Sequence, residues 1–447
     1  MITTNARKAL FWGLDYLRGA PIYNHLRNIQ QVTADKSLLA EHQAQQIQSL
    51  LTHAVQTTDY YKNYDKSARL QDFPVVNKNI IRDSFERFES TVFKGKKLKI
   101  METSGSTGTP FRVVQNPSKR QRVLAELICF NSLIGYSVGT RHALFRTIGT
   151  TFPKTPFERF KQNEVEFDVR TQNFASFEQQ RLTLLKDRHI EILIGYSSVM
   201  YDLARHVISQ GDTPKSFGVK GVLCLAEPLY PNMRDTIRKA FDCRVLSRYS
   251  NQECGVLASE CPTSGRFHLN SASYFFETLA LDGRDEPTPP GTPGRIVVTD
   301  LYNYALPMIR YDTGDIGSIV PNGCPQFATP TLESLEGRRL DMVYDTGGQR
   351  LVSFVFDDMF EVLGRLGIVK QFQFIQKSRT CYNLRLCVNG TFTQEQFIVE
   401  QCKAILGADA QIEIDYVDEI PVLNSGKRKY IVSLYDPSNE VLSSSNA

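Results

Sequence analysis

Residues 190–253 read IEILIGYSSVMYDLARHVISQGDTPKSFGVKGVLCLAEPLYPNMRDTIRKAFDCRVLSRYSNQE, and their alternation decides the fold. The apolar run 190–194 ends in Gly195-Tyr196, and a helical spacing follows through Val199, Leu203, Val207 and Ile208. The run 219–225 closes on Ala226-Glu227-Pro228. A second helix starts at Pro231, a residue suited to a first turn, with Met233, Ile237, Ala240 and Phe241 on one side. The third run, 244–249, ends in Ser250-Asn251-Gln252-Glu253. Strand, helix, strand, helix, strand at this spacing predicts a parallel α/β sheet with right-handed crossovers. The three polar turns then share the carboxyl edge of the sheet, where open α/β sheets bind ligands.

Upstream lies Thr103-Ser104-Gly105-Ser106-Thr107-Gly108-Thr109-Pro110. Leu98 and Ile100 alternate with charged residues before it, and Phe111, Val113 and Val114 follow, so it reads as the tip of a β-hairpin. Glycine admits close backbone approach. The Ser and Thr hydroxyls add donors, so such a loop can wrap polyphosphate oxygens. No Gly-Lys-Ser/Thr closes it, so it is not a Walker A loop. Read alone, it is equally an ordinary Ser/Thr/Gly turn.

The 447 residues suffice for two or three domains. An apolar share of 41% and a charged share of 22% are those of a globular chain. A formal charge of +4, without a dense Lys/Arg run, gives no case for nucleic acid. Nine scattered cysteines, an odd number, argue for a reducing compartment, and the cytoplasm is the expected location. No run reaches the length of a transmembrane span, and Asp15 and Arg18 interrupt any signal-peptide core. Leu10, Phe11, Leu14 and Leu17 repeat at helical spacing near the N-terminus. That helix is expected to dock on the main domain, with a peripheral membrane contact as the alternative; a homodimer is a further candidate partner.

Elsewhere the spacing predicts a helix over 37–57, a helix over 80–88 capped by Asn77, and a helix after the hairpin. That last helix carries an apolar stripe of Val123, Leu124, Leu127 and Ile128, with Arg120 and Glu126 off it. Residues 150–175 show no usable pattern. Strands are expected within 268–280, 294–300 and 316–320. From 371 onward, two alternating runs, a helix over 394–406 and a third run over 411–417 predict a separate α+β unit. The expected domains are 1–336 and 337–447: a large multi-sheet N-terminal domain with a parallel α/β core, and a small α+β C-terminal lid.

Taken in order, these segments resemble the AMP-forming ligase superfamily of acyl-CoA synthetases, luciferase and peptide-synthetase adenylation domains. Within it the chain is most similar to the phenylacetate–CoA ligase branch and its capsular polysaccharide (CapK-like) members. The segment 103–110 matches the phosphate loop. Ala226-Glu227-Pro228 and Tyr249-Ser250-Asn251-Gln252-Glu253 match two nucleotide-side turns. Arg310-Tyr311-Asp312-Thr313-Gly314-Asp315 matches the ribose segment, Gly337-Arg338 the hinge motif, and Asn424-Ser425-Gly426-Lys427 the C-terminal lysine motif. The chain departs from the family pattern at Ser250, at Gln252 and at Leu340-Asp341, where an apolar residue takes the hinge position.

The resemblance implies ATP and Mg²⁺ as cofactors and two half-reactions, a carboxylate first becoming an acyl-AMP. Thr103, Ser104, Gly105, Ser106, Thr107 and Gly108 would hold phosphates. Glu253 would ligate Mg²⁺, a hard cation suited to carboxylate oxygen. Asp315 would accept the ribose hydroxyls, Tyr249 would stack on adenine, and Arg338 would contact ribose or phosphate. Lys427 would bridge the attacking carboxylate and the α-phosphate. The partners implied are a carboxylic acid and an acceptor, CoA or an amine. An aryl acid, a short acyl group and a uronic acid all suit the expected pocket. A CoA ligase, an amide-forming ligase acting on a surface polysaccharide and a non-catalytic nucleotide scaffold are the three readings. Cys254, Cys261, His268 and Cys324 form a second cluster whose soft ligands suit structural Zn²⁺.

Overall fold

Parallel pairing organises the molecule as the alternation predicts. A computed structural model describes residues 3–102, 111–147, 154–169, 173–321, 323–338, 343–351, 363, 368–421 and 429–435. Ile192–Tyr196, Gly221–Leu225 and Arg244–Asn251 lie side by side and parallel, with Ile194 opposite Leu223 and Leu223 opposite Leu246. Helices Ser197–Ser209 and Pro231–Phe241 make the crossovers. Ile192, Leu193, Val222 and Val245 are all fully buried, as strands covered on both faces require.

The sheet extends on both sides of this core. His142–Arg146 and Glu164–Asp168 add two more parallel strands beyond Ile192–Tyr196. Beyond Arg244–Asn251 the pairing turns antiparallel, through Gly255–Glu260 and Phe267–Leu269. The order continues through Thr331–Arg338, Tyr311–Val320 and Gly294–Asp300 to Tyr274–Leu279, giving twelve strands with Val76–Asn77 on Tyr311–Val320. The hairpin arms Lys99–Glu102 and Arg112–Gln115 pair in register, Glu102 opposite Arg112. The loop they carry, 103–110, lies outside the described residues.

Three local expectations change. The region 150–175 contains helix Pro156–Gln162 and strand Glu164–Asp168. Its signal was a capping box, with the Thr155 hydroxyl accepting the Glu158 N–H while the Glu158 carboxylate takes the Thr155 N–H, and Pro156 in the first turn. The helix expected over 80–88 breaks at Ser84 into Lys78–Asp83 and Phe85–Phe88, although Asn77 caps its start as expected. In helix Pro117–Asn131, Glu126 is buried while Leu124 is exposed. The cause is a buried layer of charge described below.

The chain divides into two units, Met1–Pro228 with Ile237–Leu335, and Leu229–Thr236 with Glu336–Ala447. The second contains a four-stranded sheet in the order Gln411–Tyr416, Cys381–Val388, Val369–Gln376, Ile431–Ser433. Helix Glu395–Leu406 belongs to the same unit, with Ile398, Cys402 and Leu406 buried. Each such aliphatic side chain contributes roughly 1.5–3 kcal/mol when fully buried.

Candidate active site

Ala226, Glu227, Pro228, Ser250 and Asn251 lie at the carboxyl edge of the parallel strands. Gly221–Leu225 ends at Ala226, which takes a left-handed backbone (φ 64°) that costs a non-glycine residue energy. The turn delivers Glu227 to the start of helix Ser197–Ser209. The Ser198 N–H donates to Glu227 Oε2 at 2.9 Å, and the Ser197 hydroxyl donates to the Glu227 carbonyl at 3.0 Å. A carboxylate there satisfies an unpaired helix N–H and meets the positive end of the helix dipole. Glu227 thus locks the turn Ala226-Glu227-Pro228 to the neighbouring crossover.

Two strands exchange a pair of hydrogen bonds beside it. The Tyr249 hydroxyl donates to Asp315 Oδ2 at 2.5 Å, and the Tyr311 hydroxyl donates to Glu253 Oε1 at 2.9 Å. Each tyrosine stands four residues before an acid, and each acid takes the other segment's tyrosine. Burial, then the adjacent carboxylate, pushes both phenols well above their ordinary range, so both remain protonated donors. Tyr249 belongs to the hydrophobic core, with its polar tip committed to Asp315. Phe111, just after the loop, lies parallel to the Tyr311 ring with centroids 6.2 Å apart.

Glu253 is held from a second side. Gln115, at the end of the hairpin arm, donates from Nε2 to the Glu253 carbonyl at 3.1 Å. Asn251 Oδ1 accepts the Cys254 N–H at 2.8 Å and closes the turn that carries Ser250, Asn251 and Gln252. Among the described residues no hydrogen bond uses Glu253 Oε2. A buried carboxylate with one oxygen engaged and one free fits a hard cation such as Mg²⁺. Arg310 does not face the site: it is buried, left-handed in backbone, and paired to Glu277 at 3.1 Å. Lys427 and the side chain of Arg338 lie outside the described residues, as do Leu340 and Asp341.

The soft-ligand cluster forms from three of its four expected members. The ligand atoms of Cys261, His268 and Cys324 lie within 4.8 Å of one another. Cys254 is not among them. It sits at the other end of strand Gly255–Glu260, whose six residues span about 20 Å at the usual rise. His268 is fully buried, its Nδ1 lies 3.3 Å from Thr329 Oγ1, and its Nε2 has no hydrogen-bond partner. Burial lowers its pKa and favours the neutral, ligating ring. The two sulfurs are 3.8 Å apart, and the Gln326 amide oxygen is 3.3 Å from Cys261 Sγ. A buried imidazole with an unpartnered nitrogen, grouped with two thiols, fits a thiophilic metal.

Known proteins resemble this chain in sequence and in fold. Residues 343–434 match the CapK C-terminal domain. The chain is 22% identical to Protein CapK of Staphylococcus aureus over 423 residues, 88% of this chain and 89% of that protein. It is also 22% identical to the phenylacetate–coenzyme A ligase of Pseudomonas putida over 346 residues, 70% of this chain and 74% of that one. The chain is a homologue of CapK and of the phenylacetate–coenzyme A ligases. Its fold is that of the adenylate-forming ligases. The solved structure of 2-hydroxyisobutyryl-CoA ligase, in the postadenylation state in complex with R3-HIB-AMP, matches 93% of each chain with a TM-score of 0.72 at 16% identity.

Beneath the site of this CapK homologue lies a charged layer that the sequence reading missed. Lys119 and Asp300, both without solvent exposure, pair at 2.7 Å. Lys119 also donates to the Tyr274 hydroxyl at 2.9 Å, and that hydroxyl donates to the Cys254 carbonyl at 2.7 Å. Arg122 donates to Ser273 Oγ (2.8 Å), Asn28 Oδ1 (2.7 Å) and the Ala272 carbonyl (2.7 Å), with its guanidinium 4.1 Å from the Tyr302 ring centroid. Burial pushes the Glu126 carboxyl above its ordinary range against the pull of Lys119 and Arg122. Gly255 makes room for it: a Cβ there would lie 3.1 Å from Glu126 Oε2, at a backbone φ of 128°. The available signal was the spacing 119, 122, 126, which places all three charges on one helical face.

Proposed function

We propose that the protein activates a carboxylic acid with ATP as an acyl-AMP, releases pyrophosphate, and then passes the acyl group to coenzyme A. The observation that carries this reading is the crossed pairing of Tyr249 with Asp315 and of Tyr311 with Glu253 at the strand ends. It fixes one carboxylate on each of two segments that meet beyond the ends of the parallel strands. The relatives' names support the same chemistry, since one is a phenylacetate–coenzyme A ligase and the solved neighbour holds R3-HIB-AMP.

In this reading the substrate carboxylate attacks the α-phosphorus of ATP, and the bond to the pyrophosphate oxygen breaks. Residues 103–108 hold the phosphates through N–H and O–H donors. Glu253 Oε2 holds Mg²⁺, which would neutralise phosphate charge. Asp315 orients the ribose, Tyr249 fixes Asp315, and Ala226, Glu227, Pro228, Ser250 and Asn251 wall the nucleotide. Lys427 places a cation where charge develops, and Arg338 contacts ribose or phosphate. Residues 1–336 are the adenylation domain and 337–447 the lid. The thiol of coenzyme A then attacks the acyl carbon and AMP leaves. The nine free thiols favour a reducing, cytoplasmic setting. No helix among the described residues is long and apolar enough to cross a membrane.

The CapK name of one relative suggests a capsule setting, and with it a second reading of the acceptor: an amine on a surface polysaccharide precursor. Cys261, His268 and Cys324 would hold one structural Zn²⁺. ATP–pyrophosphate exchange over a panel of carboxylic acids tests the activity. Formation of AMP and pyrophosphate supports it, and formation of ADP and phosphate refutes it. Discharge of the acyl-AMP by coenzyme A but not by amino sugars decides the acceptor.

A further inference from the structure

The first helix, Thr4–Leu17, presents an apolar stripe that its own unit leaves uncovered. Leu10, Leu14 and Leu17 recur at i, i+4 and i+7 and are 61%, 39% and 80% exposed, with Tyr16 exposed near the helix end. Beside the start of that helix, Pro156–Gln162 exposes Phe157 and Phe160, at 72% and 55%. Arg7 joins the two helices: it donates to the Phe160 carbonyl, and its guanidinium lies 4.6 Å from the Phe160 ring centroid.

The stripe is fixed in place. Trp12 packs partly buried against the core and meets Tyr23 edge-on, with centroids 5.9 Å apart. Gly139 lets the helix approach so closely that a Cβ there would lie 2.7 Å from the Thr4 carbonyl. Asp15, the one acid of the helix, is turned inward, where it accepts the Ile22 and Tyr23 N–H groups at 3.1 and 2.9 Å. The outer face therefore carries no carboxylate from this helix. Arg7 and Arg18 flank the stripe on the helix and Lys161 follows Phe160, none of the three with an ion pair among the described residues. The neighbouring Glu158 carboxylate accepts the Thr155 N–H, which lowers its pKa and keeps it ionised, so one anion stands beside these cations.

We propose that this face seats the protein on an anionic membrane surface. Exposed Leu and Phe rimmed by Lys and Arg is the composition of a helix lying in a lipid interface. Fourteen residues reach only about 21 Å, too short to cross a bilayer, so the helix lies along it. The rim selects against a second copy of the chain. A twofold contact places the same patch on both sides, so the three cations of one copy would meet the three of the other. An anionic lipid surface complements them.

Flotation of the full-length protein with vesicles tests this. Each cation near an anionic surface contributes about fivefold in binding. Vesicles containing phosphatidylglycerol should therefore bind on the order of a hundredfold more tightly than pure phosphatidylcholine, and added salt should erode the difference. Leu14→Glu with Leu17→Glu should abolish flotation, and Arg18→Glu with Lys161→Glu should erase most of the preference for anionic vesicles. Circular dichroism should be unchanged in both variants, since all four side chains are exposed. Wild-type protein that fails to float, that binds both vesicle types alike, or that floats undiminished with the two leucines replaced would overturn the proposal. So would a concentration-dependent dimer dissolved by the leucine variant.

Discussion

Tyr311→Phe removes one oxygen from a ring that is 1% exposed and leaves its packing against Phe111 intact. The bond lost is a neutral hydroxyl on a carboxylate, a class that contributes about 1.5–3 kcal/mol. Glu253 is 8% exposed, so water does not readily replace the donor, and the upper half of that range applies. Tyr249→Phe deletes the matching bond, but Asp315 is only partly buried and water can take the place of the hydroxyl. Its cost should be about 1 kcal/mol. Because the two pairs interlock between the same segments, the double variant should depart from the sum of the singles by more than about 0.5 kcal/mol. Urea denaturation of the four proteins measures these terms. The same loss carried into the transition state corresponds to about a ten- to hundredfold fall in kcat/KM for ATP in pyrophosphate exchange, at about 1.4 kcal/mol per tenfold. If Tyr311→Phe matched wild type in both stability and exchange, the crossed pairing would not be what places Glu253, and the argument from it would fail.

Lys119→Met leaves Asp300 buried without its partner and should cost about 3–5 kcal/mol, read as a lowered denaturation midpoint. Glu164 shows the acid dependence. Burial alone would raise its pKa, but hydrogen bonds from His142 and Lys154 bring it to about 2, below the ordinary 4.5. Its stabilisation is therefore full above pH 4.5 and lost as pH falls toward 2. After allowance for solvent screening, Glu164→Gln should cost about 1–2 kcal/mol at pH 7, and the difference from wild type should shrink to little near pH 2. Metal analysis of protein purified without added zinc should find about one equivalent, and Cys261→Ser with Cys324→Ser should remove it and lower stability; a metal-free wild type would end the zinc proposal. Lys427→Ala should slow adenylate formation by several orders of magnitude while leaving nucleotide affinity and discharge of supplied acyl-AMP nearly unchanged; normal exchange in this variant would move the role elsewhere.

What the sequence made legible was periodicity. The three apolar runs between 190 and 253 became adjacent parallel strands because burial on both faces demands unbroken apolar residues. Asn77 capped its helix because a short carbonyl side chain can reach the next turn's N–H groups. The strand His142–Arg146 was passed over because its apolar core, Ala143-Leu144-Phe145, is flanked by His142 and Arg146 and is shorter than its neighbours. The sequence places Arg120 and Glu126 off the apolar stripe and singles out neither Lys119 nor Arg122, because charged residues are usually solvated. Only tertiary structure brings Asp300 and Tyr274 against Lys119, and Ser273 and Asn28 against Arg122. Cys254 could be grouped with Cys261 on chemistry alone, yet a straight strand holds them apart.

That buried layer bears on the site because of where its hydrogen bonds end. Lys119 passes through the Tyr274 hydroxyl to the Cys254 carbonyl, one residue beyond Glu253. Tyr311 holds the Glu253 side chain from the sheet, and Gln115 holds its carbonyl from the arm of the glycine-rich hairpin. The peptide around Glu253 is thus fixed at three successive points by groups from three different elements. Each anchor is a polar atom with a defined direction, which apolar packing cannot supply. A carboxylate that must meet a metal and a phosphate at set distances needs that directionality. A buried ion pair contributes little net stability against an apolar substitute of the same shape. Lys119 and Asp300 are therefore better understood as the rigid base of this turn than as a source of folding energy. Replacing both, as Lys119→Met with Asp300→Leu, should restore much of the stability lost in Lys119→Met alone, yet leave pyrophosphate exchange impaired because the Tyr274 hydroxyl loses its donor. Full recovery of exchange alongside stability would show that the layer serves packing and not the placement of Glu253.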